Sequence, residues 1–195
     1  FVSLGYLAME RSAGIVAFGS LGNVGVVEVK GPIVESEQVV EDLRHFREAP
    51  NIRAVILRVD SPGGSVGPSQ EIFAEVRRLA EEKVVVASMG ATAASGGYYV
   101  AIPATRIMAN PGTITGSIGV ITQVPNVEEM AEKVGFRMNT VTSGSSKDAG
   151  NPFRPFTEED RQVFRELIDD IYRQFVDDVA EGRNLDRERV LEIAD

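Results

Sequence analysis

The residues best placed to do chemistry are one serine, a small set of lysines and two glycine-rich turns. Ser95 stands in Ala93-Ala94-Ser95-Gly96-Gly97-Tyr98-Tyr99, after a buried strand and before a short helical segment at Tyr98 to Ala101. Small neighbours let a substrate backbone approach the hydroxyl, and a helix start offers unpaired N–H groups that suit an oxyanion. The same small residues equally suit a close helix–strand packing site. A second glycine-rich turn, Asp60-Ser61-Pro62-Gly63-Gly64, also lies at a strand end. An oxyanion hole usually needs two donors, so two such turns in neighbouring crossovers form a more specific pattern than either alone.

A nucleophilic serine needs a base, and composition narrows the choice. The 195 residues include no cysteine, no tryptophan and one histidine. That removes thiol nucleophiles, disulfide frameworks, thiolate metal sites and histidine-clustered metal sites. His45 lies near the end of a helical segment, 36–48, beside Arg44 and near Arg47, and reads as a surface or half-buried helix residue. The lysines are Lys30, Lys83, Lys133 and Lys147. Lys30 and Lys83 flank strands at presumed opposite edges, and Lys133 sits on a charged helix face. Lys147 differs in lying in the polar loop Ser143-Gly144-Ser145-Ser146-Lys147-Asp148. A lysine serves as general base when desolvation lowers its pKa toward neutrality. Taken alone, Lys147 is an ordinary solvated loop lysine.

These residues must be held by a fold. Val24 to Val29 reads as a strand, ended by Lys30-Gly31-Pro32. A helix follows from an N-cap at Ser36, with Val39, Val40, Leu43 and Phe46 at helical spacing. Ala54 to Val59 is the next strand and runs into the first glycine-rich turn. Ile72, Phe73, Val76 and Leu79 mark a second helix, and Val84 to Ser88 a buried strand. This alternation predicts a parallel sheet with helices packed on it and a site at the carboxyl ends of the strands. Both glycine-rich turns fall there. Downstream, Arg106 to Ala109 and Ile118 to Thr122 read as short strands around a turn at 112–119. Asn126 to Val134 reads as a helix and Phe136 to Val141 as an alternating strand. Thr157-Glu158-Glu159-Asp160 resembles a capping box and starts a long helix that Gly182 ends. Phe164, Leu167, Ile168, Ile171, Phe175 and Val179 form its apolar face, and Asp186 to Ala194 begins another helix.

Size and charge set outer limits. A hydrophobic content of 43% and a charged content of 25% are those of a globular protein, one domain or one with an appended helical arm. A net charge of −9 argues against a surface that tracks nucleic-acid phosphates. No segment reaches the roughly 20 apolar residues that span a bilayer. Phe1 to Met9 is about half that length, and fits either the end of an anchor or a strand.

With these motifs in order, the chain resembles the signal peptide peptidase A family, membrane-associated serine proteases with a Ser-Lys dyad. The resemblance runs from Val24 to Asp195. It rests on Asp60-Ser61-Pro62-Gly63-Gly64, Ala94-Ser95-Gly96-Gly97-Tyr98-Tyr99, Thr115-Gly116-Ser117-Ile118-Gly119-Val120, and Ser143-Gly144 leading to Lys147. It implies an α/β fold of the crotonase/Clp-protease type, a parallel sheet core with βαβ units and a C-terminal helical arm. It implies Ser95 as nucleophile, Lys147 as general base, the amides of Gly64 and Gly96 as oxyanion donors, and Ser117 as the hydroxyl that orients the lysine. Asp148 must then point away for the lysine to remain neutral. No cofactor or metal is implied. The implied substrates are cleaved signal peptides or other extended apolar peptides. The implied partners are further copies in a ring or dome whose interfaces help build the site.

The resemblance also divides the chain into an N-terminal segment, 1–23, a possible anchor remnant, and a Ser-Lys peptidase domain, 24–195. Full-length relatives carry a transmembrane segment before this region and continue past it, so a native chain extending beyond both ends is expected. The implied location is membrane-anchored, with the catalytic domain on the extracytoplasmic side of a prokaryotic cytoplasmic membrane. Alternatives are a stomatin-associated membrane serine protease, a crotonase-type acyl-CoA enzyme using similar amides for an enolate, and a catalytically silent ring-forming scaffold. Tyr98-Tyr99 and Gly116-Ser117-Ile118-Gly119 favour the first resemblance, and the presence of both Ser95 and Lys147 favours a protease.

Overall fold

The computed structural model describes residues 22–194. The N-terminal segment 1–23, read as a possible anchor remnant, therefore lies outside the described residues apart from its last two positions. The described chain forms two compact units, residues 22–118 with 177–194, and residues 119–176.

The first unit opens as the sequence pattern predicts. Strand Val24–Lys30 (β1) is followed by helix Glu37–Glu48 (α1), strand Ala54–Ser61 (β2), helix Val66–Glu82 (α2) and strand Val84–Ala94 (β3). A short helix, Gly96–Tyr99 (α3), then leads to strands Arg106–Met108 (β4) and Ile114–Gly116 (β5). The sheet is wholly parallel in the order β1-β2-β3-β4, with β5 also paired to β3. β4 takes Val86 to Ser88 and β5 takes Thr92 to Ala94, so the two short strands serve successive stretches of one long strand.

Along β2, Val55, Leu57, Val59 and Ser61 are buried while Ala54, Ile56, Arg58 and Asp60 are only half-buried. The period of two follows from the pleat, and the apolar members of the buried set join Leu43, Phe46, Ile72, Val76 and Leu79 of α1 and α2 in one core. β3 alternates in the same way over Val84 to Ser88, so that segment is buried on one face rather than on both. On the other face Arg58 Nη1 donates to Ser88 Oγ at 3.0 Å. Two backbone approaches require glycine. A Cβ on Gly25 would lie 2.7 Å from the Phe46 ring, and one on Gly90 would lie 2.7 Å from Asp60 Cγ. Close to Gly90 the ladder shifts register between Val59 and Ser61, and Asp60 Oδ1 accepts the freed Thr92 N–H at 3.0 Å.

Several local expectations are corrected. Ser36 precedes α1 as an N-cap should, but its hydroxyl makes no cap bond and donates instead to Glu71 on α2. The strand expected at Ile118 to Thr122 lies earlier, as β5, because the free edge at the end of β3 pairs Ile114 to Gly116. Phe136 to Val141 is not a strand; Val141 is 98% exposed and no ladder forms there among the described residues. Alternation supplies a face, but a strand also requires a partner for its backbone groups.

The second unit contains helix Glu128–Lys133 (α4), a 3₁₀ turn at Ser145–Asp148 and the first part of helix Glu158–Arg183 (α5). The capping box at Thr157 forms: Thr157 N–H donates to Asp160 Oδ2 at 2.9 Å, and Asp160 N–H to Thr157 Oγ1 at 3.2 Å. The last turns of α5 and helix Arg187–Ala194 (α6) belong to the first unit. Gly182 does not end α5. It lies within the helix, where a Cβ would meet the Ile102 side chain at 2.4 Å. The stop comes at Asn184, at φ 51, where Leu185 N–H reaches back to Ala180 O at 3.0 Å. No helix among the described residues is long and apolar enough to cross a membrane.

Candidate active site

β3 ends at Ala94 and α3 begins at Gly96, so Ser95 alone turns the chain. It does so at φ 52 and ψ −122, a conformation that favours glycine and costs a side chain on the order of 1–3 kcal/mol. The turn is fixed on both sides. Ser95 N–H donates to Gly116 O at 2.8 Å on β5, and Ser95 O accepts Tyr99 N–H at 2.8 Å within α3. A sharp strand-to-helix turn of this kind carries its side chain beyond the sheet end, where a reactant can reach it. Ser95 is half-buried.

The two glycine-rich turns meet at this elbow. A Cβ on Gly63 would lie 2.6 Å from the Gly96 nitrogen, and one on Gly97 would lie 2.4 Å from Ser61 O. Gly63 also sits at φ +95. A Cβ on Gly96 would lie 3.3 Å from the Gly64 nitrogen, which makes the two amides neighbours. Their N–H groups are directed by the backbone. Ile33 donates to Gly63 O at 2.9 Å and accepts from Ser65 N–H at 2.7 Å. In a parallel bridge the residue between those partners turns its own N–H to the opposite side, so Gly64 N–H faces away from Ile33. Gly96 is the first residue of α3, and its N–H lacks an intrahelical acceptor.

α3 is itself tied down. The Tyr99 ring stacks on Phe73 of α2 with centroids 4.7 Å apart, and its hydroxyl donates to Asp178 of α5 within the first unit. Burial pushes the Tyr99 hydroxyl and the Asp178 carboxyl both above their ordinary values. Nothing in the sequence marks this pair, because 79 residues separate its members.

Of the remaining predicted site residues, Ser117 lies next to Gly116, the residue that accepts the Ser95 amide, and adopts φ 51. Ser117 is exposed, while Ile118 beside it is buried. Lys147 lies exposed on the 3₁₀ turn of the second unit. Ser95, Gly64, Gly96 and Ser117 thus share one unit, and Lys147 belongs to the other. His45 is exposed and packs edge-on against Phe46. Lys83 donates to Phe46 O and Ala49 O, both at 2.7 Å, at the amino end of β3. Lys30 closes β1 at its carboxyl end, the same end as the glycine turns, and pairs with Glu28 at 2.7 Å.

Asp148, next to Lys147, is held by other residues. Arg154 Nε donates to Asp148 Oδ2 at 2.7 Å, Arg154 Nη2 donates to its backbone oxygen at 2.7 Å, and Asn151 Nδ2 donates to Oδ1 at 2.9 Å. Arg154 also holds Asp160, with Nη2 2.8 Å from Oδ1. The Arg154 guanidinium keeps both carboxyls below the ordinary carboxylate range.

The geometry defines an α/β protein of the Clp-protease type, with a serine on a strained strand-to-helix elbow beside two glycine amides. The fold matches a solved mutant of ClpP1 from Listeria monocytogenes with a TM-score of 0.53 over 87% of this chain and 78% of that one, at 14% identity. Residues 77–195 match the profile of Peptidase family S49, and the chain belongs to that family. A protein of Synechocystis named as a protease is 45% identical over 171 residues, which cover 87% of this chain and 61% of that protein. The chloroplastic serine protease SPPA of Arabidopsis thaliana is 37% identical over 187 residues, 95% of this chain and 28% of that protein. The chain therefore spans less than two thirds of either relative.

Proposed function

We propose that residues 24–195 form a Ser-Lys peptidase domain that hydrolyses extended apolar peptides, cleaved signal peptides among them, through an acyl-enzyme. The observation that carries the reading is the Ser95 elbow. A positive φ at a non-glycine residue, beside two glycine amides, is conformational cost concentrated where a nucleophile and an oxyanion would sit. Membership of Peptidase family S49 supports peptide-bond chemistry over an acyl-CoA reaction.

In the proposed reaction Lys147 Nζ, as the neutral amine, takes the Ser95 hydroxyl proton while Ser95 Oγ attacks the scissile carbonyl. The amides of Gly64 and Gly96 stabilise the oxyanion. Collapse expels the peptide amine, which takes the proton from Lys147, and water repeats the sequence on the acyl-enzyme. Ser117 holds the ammonium through a neutral hydroxyl, which stabilises the charge less than a carboxylate would. A lysine acts as base only when shielded from water, and Lys147 is exposed on this chain. The reading therefore includes homo-oligomers, in a ring or dome, whose interfaces or bound peptide cover the lysine. It also puts the domain at a membrane, anchored on the extracytoplasmic side.

The test is cleavage of casein and of a released signal peptide by wild type and Ser95→Ala. Wild type is expected to cut both and Ser95→Ala neither. Hydrolysis that survives Ser95→Ala refutes the nucleophile.

A further inference from the structure

We propose that Arg154 is a positioning residue for the base: by occupying the Asp148 carboxylate, it keeps Lys147 from being locked as an ammonium by its own neighbour. The inference rests on the reading that Lys147 is the base.

An acid immediately after a lysine base is a liability. An opposite charge within about 4–6 Å favours the charged form of a titrating group, and a base already holding its proton cannot take another. Lys147 and Asp148 are neighbours on the 3₁₀ turn, and attraction between charges does not need side-chain contact, so the partner that Asp148 takes decides the matter. Its ion pair is with Arg154, not with Lys147. Arg154 and Asn151 together take both Asp148 carboxylate oxygens.

The arrangement is braced. On its far side Arg154 meets Asp160, whose side chain is 6% exposed and which is itself fixed in the capping box of α5. Arg154 Nη1 also donates to Pro155 O at 2.9 Å. The charged groups lining the cleft beside Asp148 are Arg154, Asp160 and Glu159, and Glu159 is exposed. Two carboxylates thus share one guanidinium, and the fork geometry of arginine suits that role in a way a single ammonium does not. The depressed Asp148 carboxyl agrees with a carboxylate already satisfied before any lysine is considered.

The experiment measures the rate at which a fluorophosphonate labels Ser95 as a function of pH, in the full chain. The low-pH limb of that profile reports the group that must be neutral to take the serine proton. In Arg154→Met the Asp148 carboxylate keeps Asn151 but loses its cation, and its unneutralised charge stabilises the Lys147 ammonium, so the limb is expected to move up by about one pH unit. Labelling below both midpoints then falls about tenfold and recovers at high pH. Adding Asp148→Asn to Arg154→Met is expected to return the limb to its wild-type position, which a merely structural role for Arg154 does not produce. A limb that stays in place while the whole profile drops, or a double variant that fails to restore it, overturns the inference.

Arg154→Lys covers the case in which Arg154→Met does not fold. Its one ammonium cannot hold both carboxylates, so a smaller upward shift is expected, and no shift overturns the inference. Lys147→Ala separates the two levels. Equal labelling of Lys147→Ala overturns the base assignment and this inference with it. Lost labelling in Lys147→Ala with an unmoved limb in Arg154→Met overturns this inference alone.

Discussion

Replacing Ser95 with glycine removes the proposed nucleophile and is expected to make the protein more stable. Ser95 sits at φ 52 and ψ −122, where its Cβ is strained at a cost on the order of 1–3 kcal/mol. Glycine adopts positive φ freely, but its more flexible unfolded chain offsets about 0.5–1 kcal/mol of that relief. The net expectation is a gain of about 1 kcal/mol. For a chain of this size that raises Tm by roughly 2–4 °C. Ser95→Ala is the necessary reference, because it deletes the hydroxyl and keeps the Cβ. Both variants lack the hydroxyl, so the difference in their melting temperatures isolates backbone strain from the lost hydroxyl. Scanning calorimetry on the two variants reads it directly. If Ser95→Gly melts at or below Ser95→Ala, the elbow is not strained and the argument for stored cost at the site fails.

Two further outcomes test the surroundings. In Gly64→Ala the new Cβ would lie 2.2 Å from Ile33 O, with only backbone around it, so the turn must shift and displace the Gly64 amide. Loss of about 10²-fold in kcat, with the circular-dichroism spectrum retained, is the expected result, and an unchanged kcat removes Gly64 from the oxyanion role. The Arg154 cluster has a defined acid response, because Asp148 and Asp160 both have lowered folded-state pKa values. Its contribution is fully present above the ordinary carboxylate value of about 4 and is lost as pH falls through the lower folded values. The Arg154 Nε proton resonance is expected to hold from about pH 7 to about pH 4 and to broaden only below it; broadening already near pH 5 contradicts the assigned ion pairs.

The parallel sheet is legible in the sequence because its signals are local and repeated. Ala54 to Val59 and Val84 to Ser88 are β-branched runs of strand length, and Leu43, Phe46, Ile72, Val76 and Leu79 recur at helical spacing. Ser95 is legible as a candidate because a strand, small residues and a helix follow one another. Its positive φ is not, since serine carries no mark of that conformation, and it is fixed by a long-range bond to Gly116 together with the first bond of α3, from Tyr99. Phe136 to Val141 misleads because alternation reports a face and says nothing of a pairing edge. Gly182 misleads in the opposite sense. Its small size serves a close approach to Ile102 and not a helix stop, and only the neighbour across the contact reveals that. Arg154 is silent in sequence because its role lies in joining Asp148 to Asp160, across a segment without periodicity.

Ser95 as the proposed nucleophile and Lys147 as the proposed acceptor of its proton are both addressed by one measurement. Wild type, Ser95→Ala and Lys147→Ala are each treated with a fluorophosphonate, and the adduct is located by peptide mass spectrometry. An adduct on Ser95 is expected in wild type and none in either variant. An adduct on another residue, or equal labelling of Ser95 in Lys147→Ala, contradicts these assignments.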